Sequence, residues 1–272
     1  MTYDPRLAAS YWSGPRHERG DELGAVLSLG EPPSVNRAYD AWETGLLLAS
    51  LGDLSSSTVL DLGAGVGRVS ARLVPGARRL LCGDLAPGML ERLRRRLEEG
   101  GIGREGYDRI RHRADLLPYG DASLDVVACL GLLEHLPSAA RAATMREAAR
   151  VLRPGGRLAL VLNNSRSRFL GDPNDNPHRI GVQRENGYYC ALLDEGSLLR
   201  EAAAWFDTSS LGSNVFYSMQ RHAARHLSEP ERASDAVGSF LDAAARWDLA
   251  LRARDGLAAV AADHHLYLLR RR

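Results

Sequence analysis

Residues 59 to 68 read Val-Leu-Asp-Leu-Gly-Ala-Gly-Val-Gly-Arg, so the acid Asp61 stands just ahead of three glycines at alternate positions, Gly63, Gly65 and Gly67. Glycines so spaced let a backbone turn sharply and let a ligand approach the main chain without meeting a Cβ. A second acid, Asp84, lies 23 residues after Asp61. At about that interval a carboxylate accepts hydrogen bonds from ribose hydroxyls in nucleotide-binding α/β proteins. By itself Asp84 would read as a helix cap before Pro87; beside the glycines it reads as a ribose acceptor. Asp61 is suited to hold an amino group or to order the loop. The G-x-G-x-G spacing departs from the G-x-G-x-x-G of dinucleotide binders, which speaks against a nicotinamide-dependent oxidoreductase.

Other reactive side chains are sparser. His135 follows an apolar stretch and is the best-placed candidate general base. Tyr11, Tyr188, Tyr189 and His178 fall in loop-like or lid segments where each could position a substrate or simply pack. Asn163 and Asn164 have no acidic partners at metal-ligand spacing, so no metal site is expected. Cys82, Cys129 and Cys190 are widely separated and odd in number. They form neither a disulfide framework nor a zinc site.

These residues need a scaffold, and the hydrophobic pattern supplies one. Strands are predicted within 55–67, ahead of the glycine turn, and over 79–83, 110–114, 124–129 and 157–162, with helices over 35–48, 68–74, 87–97 and 138–152 between or before them. Apolar rather than alternating strands, separated by helices, indicate a parallel sheet covered on both faces. Arg92, Arg94, Arg95 and Arg96 read as the solvated face of the third of those helices. Further on, a helix is expected over 194–205, a strand within 206–217 and a last strand over 264–269. Ser228 and Glu231 form a capping box before a helix whose stripe Val237, Phe240, Leu241, Ala244, Trp247 and Leu251 reads as core packing.

Composition narrows the function. The 272 residues carry a formal net charge of +1, which disfavours a nucleic-acid or membrane partner held by charge. All 35 basic residues are arginine, a sign of genomic base composition more than of mechanism. No apolar run approaches the ~20 residues of a membrane span, and the N-terminus lacks a signal-peptide core. A cytoplasmic protein is expected, acting on a small molecule, with a homodimer left open.

The chain resembles the class I methyltransferases that use S-adenosylmethionine. DLGAGVG, GDLAPGML, RADLLPYGDASLDVVAC, LGLLEHLP and ARVLRPGGRLALV, in order between 61 and 161, are similar to successive segments of that family. The resemblance implies a Rossmann-like, doubly wound α/β fold with a seven-stranded sheet, mostly parallel with its last strand antiparallel. It implies a cofactor core over 46–217, completed by 263–272, with lid helices over 1–45 and a helical cap over 218–262. It further implies that S-adenosylmethionine is held by Asp61, Gly63, Ala64, Gly65, Gly67, Asp84, Leu85, Met89, Asp115, Leu116 and Leu130. Asp115 would meet the adenine amino group and Leu116 its edge, while Arg37 or Tyr39 would meet the cofactor carboxylate. His135 and Tyr11 are the catalytic candidates. The expected activity is methyl transfer to an oxygen or nitrogen of a small molecule, such as a secondary metabolite. The alternative is a non-methylating reaction (cyclisation, decarboxylation or hydroxylation) on the same scaffold; a binding module is disfavoured by the intact loop and acids.

Overall fold

Alternate side chains of a strand point to opposite faces, and here both sets are apolar. In β1 (Thr58–Leu62), β2 (Arg79–Asp84) and β4 (Leu124–Cys129), Val59, Leu80, Cys82, Val126 and Ala128 face one core. Leu60, Leu62, Leu81, Val127 and Cys129 face another. The computed structural model, which describes residues 3–14, 23–27, 32–168, 181–250 and 256–272, accordingly shows helices on both sides of one sheet. The first core is closed by α2 (Pro33–Leu51), α3 (Ser70–Leu73), α4 (Pro87–Glu99) and α9 (Asp235–Ala250), the second by α5 (Ser138–Val151) and α6 (Glu195–Ala202).

With β3 (Tyr107–Arg111), β5 (Leu152–Asn163), β6 (Phe206–Ser213) and β7 (His264–Arg271), the seven strands lie in the order β3-β2-β1-β4-β5-β7-β6. β7 alone runs opposite to the other six strands, so its first residue, His264, pairs with the last of β5, Asn163. The expected sheet is thus present in full.

Three details differ. β3 begins three residues before the predicted third strand. It is an edge strand whose middle residues are exposed, so it carries no apolar run, and the chain leaves the sheet at His112, whose N–H donates to Asp84 O (3.1 Å). The Ser228–Glu231 capping box caps only the four-residue α8 (Glu229–Arg232), not the long helix after it. The stripe on α9 is rotated from the expected one. Gly238, Leu241, Ala244, Ala245 and Asp248 are buried, whereas Phe240 and Trp247 are 61% and 54% exposed. Asp248 dictates this rotation: its carboxylate accepts the N–H groups of Phe216 (2.9 Å) and Tyr217 (2.8 Å) in the first turn of α7 (Val215–Ala224). Leu251 lies outside the described residues.

No linker marks the expected boundaries at residues 45 and 217, since α2 runs unbroken across the first and α7 across the second. At the N-terminus α1 (Pro5–Ser13), capped by Asp4, packs on α4. Among the described residues no helix is long and apolar enough to cross a membrane.

Candidate active site

The chain moves outward from β1 to β2 to β3, then returns past β1 to β4 and β5. At such a reversal the loops leaving neighbouring strands part and leave a crevice at the carboxyl ends of the strands. A cavity of about 620 Å³ occupies this place, within the range of small-molecule sites, roughly 300–1,000 Å³.

Over β1, β2 and β3 its walls are acidic and glycine-rich. The N–H groups of Gly63 (2.8 Å) and Ala64 (3.0 Å) donate to Gly83 O, and that of Gly65 to Asp84 Oδ2 (2.9 Å). The other Asp84 oxygen accepts from Ala86 N (2.8 Å), so the acid braces the loop while it lines the cavity. Burial pushes its pKa up. Asp61 accepts from Ser70 Oγ at 2.6 Å, and burial raises its pKa to about 6. Asp115 is gripped through both oxygens by Arg113 (2.8 and 2.6 Å), which lowers its pKa. Leu85, Met89 and Leu130 complete this half.

His135 lies beyond β4. Its Nδ1 is 2.9 Å from the carbonyl oxygen of Tyr189. A carbonyl only accepts, so Nδ1 carries the proton and Nε2 of the neutral ring keeps its lone pair. Trp12 meets the ring edge-on, with centroids 4.9 Å apart, and Tyr188 stands at 5.8 Å. Trp12 is held there because the Arg92 guanidinium donates to Gly14 O (3.2 Å) and Gly88 N donates to Ser13 Oγ (3.2 Å).

Four expected site residues lie off the cavity wall. Tyr11 is packed between Trp12 and Tyr188, and its neighbour Trp12 lines the space instead. Arg37 is exposed on the outer side of α2, and Asn36 and Tyr39 take the wall; successive helix residues point about 100° apart. Leu116 is 70% exposed. Gly67, at φ +80°, serves packing: a Cβ there would stand 2.8 Å from Leu93 Cγ of α4. Of the other candidates, Tyr188 and Asn163 line the cavity. Tyr189 packs edge-on to Tyr3 and contributes its carbonyl. Asn164 donates to Ala259 O and Ala262 O, and His178 lies outside the described residues. Among the described residues no cluster of three or more metal-ligating side chains occurs.

Several wall residues escape sequence reading. Arg68 is buried between Asp40 (3.1 Å) and Glu43, and Tyr39 donates to Glu43 (3.3 Å). Arg68 opposes the rise that burial imposes on the Glu43 carboxyl. An arginine directly after a glycine turn, with acids spaced i, i+3 on a preceding helix, was the available signal. Tyr217, Arg221 and His222 of α7, its C-cap Arg225 and His264 of β7 also line the cavity. They come from segments that bear no motif.

Comparison with known proteins agrees with this geometry. Residues 59–156 match a family model described as a methyltransferase domain. A ubiquinone biosynthesis O-methyltransferase of Xanthomonas oryzae pv. oryzae is 30% identical over 191 residues, covering 66% of this chain and 74% of that protein. Phosphoethanolamine N-methyltransferase 1 of Haemonchus contortus, solved with phosphoethanolamine and S-adenosylhomocysteine, superposes with a TM-score of 0.62 at 17% identity, over 100% of this chain and 50% of that one. Geranyl diphosphate C-methyltransferase of Streptomyces coelicolor A3(2) gives 0.58 at 12% identity, over 98% and 97%. The two structures share the fold.

Proposed function

Because the chain belongs to the class I S-adenosylmethionine-dependent methyltransferases, we propose that it methylates an oxygen or nitrogen of a small molecule of secondary metabolism, with His135 as general base. Oxygen is favoured by the O-methyltransferase relative. A small acceptor is favoured by the net charge of +1, and both structural neighbours act on small molecules.

The residues present fit the cofactor. A Cβ on Gly63 would stand 3.1 Å from Leu132 and one on Gly65 3.4 Å from Val26, both cavity residues, so the turn leaves room against the main chain that any other side chain would fill. S-adenosylmethionine, when bound, supplies an electrophilic methyl group. Asp84 would accept from its ribose hydroxyls, Asp61 would face its ammonium group and Asp115 its adenine amine, with Leu85 and Met89 against the ring. The rest is orientation and exclusion of water. Trp12 and Tyr188 close the cavity over His135. Nε2 of His135 takes the proton of an acceptor hydroxyl, and the carbonyl of Tyr189 stabilises the resulting imidazolium at Nδ1.

The observation that carries this reading is the tautomer of His135, fixed by the Tyr189 carbonyl in the same cavity as the glycine turn. The test is incubation with methyl-labelled cofactor and a panel of phenols and amines. Label in the product supports methyl transfer; substrate turnover without label overturns it. His135→Ala should lower kcat by about 10²–10⁴-fold and leave S-adenosylhomocysteine affinity unchanged. Equal activity in the two proteins would give His135 a structural role.

A further inference from the structure

The cavity gathers acids at one place and bases at another. Over β1 to β3 it is lined by Asp61, Asp84 and Asp115, the last paired with Arg113, and over β5 and β7 by Arg221, His222, Arg225 and His264; Glu43, paired with Arg68, and Glu134 also line it. The basic group is assembled by topology. Since β7 is antiparallel, its first residue, His264, lies at the carboxyl ends of the other strands, opposite Asn163. Arg221 and His222 lie in the last turn of α7 and Arg225 caps its C-terminus, so the three stand together at that end of the helix.

Buried partners hold these groups in place. Asp263, its side chain wholly buried, lies 3.6 Å from Arg221 and 3.5 Å from His222, and accepts from Ser167 Oγ at 3.0 Å. Asn214 Oδ1 accepts from His264 N (2.8 Å) and Ser218 Oγ (3.2 Å). That orientation turns Asn214 Nδ2 as a donor toward His264 Nδ1 at 3.2 Å. Nδ1 of His264 is therefore an acceptor, and Nε2 carries the proton. His264 and His135 thus hold opposite tautomers, one a donor at Nε2 and one a base. The aromatic rings of Tyr39 and Tyr217, 5.8 Å apart, stand beside this group, with Tyr39 5.0 Å from His264.

Resting on the reading of this cavity as a methyl-transfer site, we propose that the acceptor is an anionic small molecule, a carboxylate or a phosphate ester, whose charge is read by Arg221, Arg225 and the Nε2–H of His264. Guanidinium groups bind both oxyanions through paired N–H donors. His264 begins β7, two strands along the sheet from β4, which His135 follows. An elongated acceptor, with the ring faces of Tyr39 and Tyr217 along its body, fits that separation.

The test is calorimetric titration of the S-adenosylhomocysteine-saturated protein with 4-hydroxycinnamate, its neutral methyl ester and phenyl phosphate. At least one anion should bind tenfold or more tightly than the ester, and Arg221→Gln/Arg225→Gln should abolish that preference. Tighter binding of the cinnamate assigns a carboxylate acceptor; tighter phenyl phosphate assigns a phosphate ester. Arg225 is exposed at the mouth, so Arg225→Glu carries the test if the double variant fails to fold. Equal affinity for acid and ester overturns the proposal, as does a preference that survives substitution or absence of binding by all three. Failure of the wild type to bind S-adenosylhomocysteine would instead overturn the cofactor reading.

Discussion

Asp61 and Asp84 bear the same charge in one cavity and are held in different ways. Asp84 accepts a main-chain N–H on each oxygen, from Ala86 and Gly65, and each oxygen keeps a further acceptor direction for a ligand hydroxyl. Asp84→Ala should weaken S-adenosylhomocysteine binding by about 1–3 kcal/mol, measured by calorimetry; unchanged affinity would remove it from the site. Asp61 has a hydroxyl partner and a pKa near 6 in the folded protein, from burial, against about 3.9 in an unfolded chain. Folding therefore favours the protonated acid. Its contribution to stability is complete below about pH 4 and is lost as pH rises through 6. Asp61→Asn should stabilise the cofactor-free protein above pH 6, by about 1–3 kcal/mol, in urea denaturation at pH 8 but not at pH 4. A cofactor ammonium reverses the preference. Wild-type affinity for S-adenosylhomocysteine should then rise from pH 5 to 7, and a flat profile that persists in Asp61→Asn would separate Asp61 from the ammonium.

At the scale of elements, the glycine turn is legible because its requirement is local. A buried strand, a backbone that must turn and an acid at the next strand end are all written in consecutive residues. One of the three glycines also answers to packing. Gly67 makes room for Leu93, so Gly67→Ala combines an unfavourable φ with a clash against α4. It should cost about 2–4 kcal/mol of stability, read by denaturation; a variant as stable as wild type would show that α4 can shift. Helix faces were read less well, because periodicity gives spacing but not rotation. On α2 the wall belongs to Asn36 and Tyr39, not to Arg37. On α9 an apolar stripe alone could not disclose that Asp248 must be buried to cap α7. The edge strand β3 is legible but displaced by three residues, because its exposed middle carries no apolar run to mark its bounds.

Across the whole molecule, the glycine turn and the acids of the cavity come from loops that follow successive strands, whereas its other walls are gathered from segments far apart in the chain. Trp12, Tyr217 and His264 come to one cavity only through tertiary packing, so no sequence interval announces them. The start of α1 is tied down over a similarly long range. Asp4 N donates to Gln183 Oε1 (2.7 Å), and Gln183 Nε2 donates to Asp4 O (2.9 Å) and Gly187 O (3.0 Å). Gln183→Ala should free α1 and accelerate tryptic cleavage after Arg6, while the denaturation midpoint of the core moves little. An unchanged cleavage rate would show that the contacts with α4 suffice.

The insertion of β7 between β5 and β6 bears on how the molecule is made. Both neighbours precede β7 in the chain, so each presents an open edge until the final strand slots between them. Open edges recruit other chains, and pairings that close long loops form slowly. Aggregation during refolding should therefore depend steeply on protein concentration, with β5 and β6 as the adhesive surfaces. A synthetic peptide of residues 264–271, supplied in trans, would compete for that slot and capture the chain one strand short of completion.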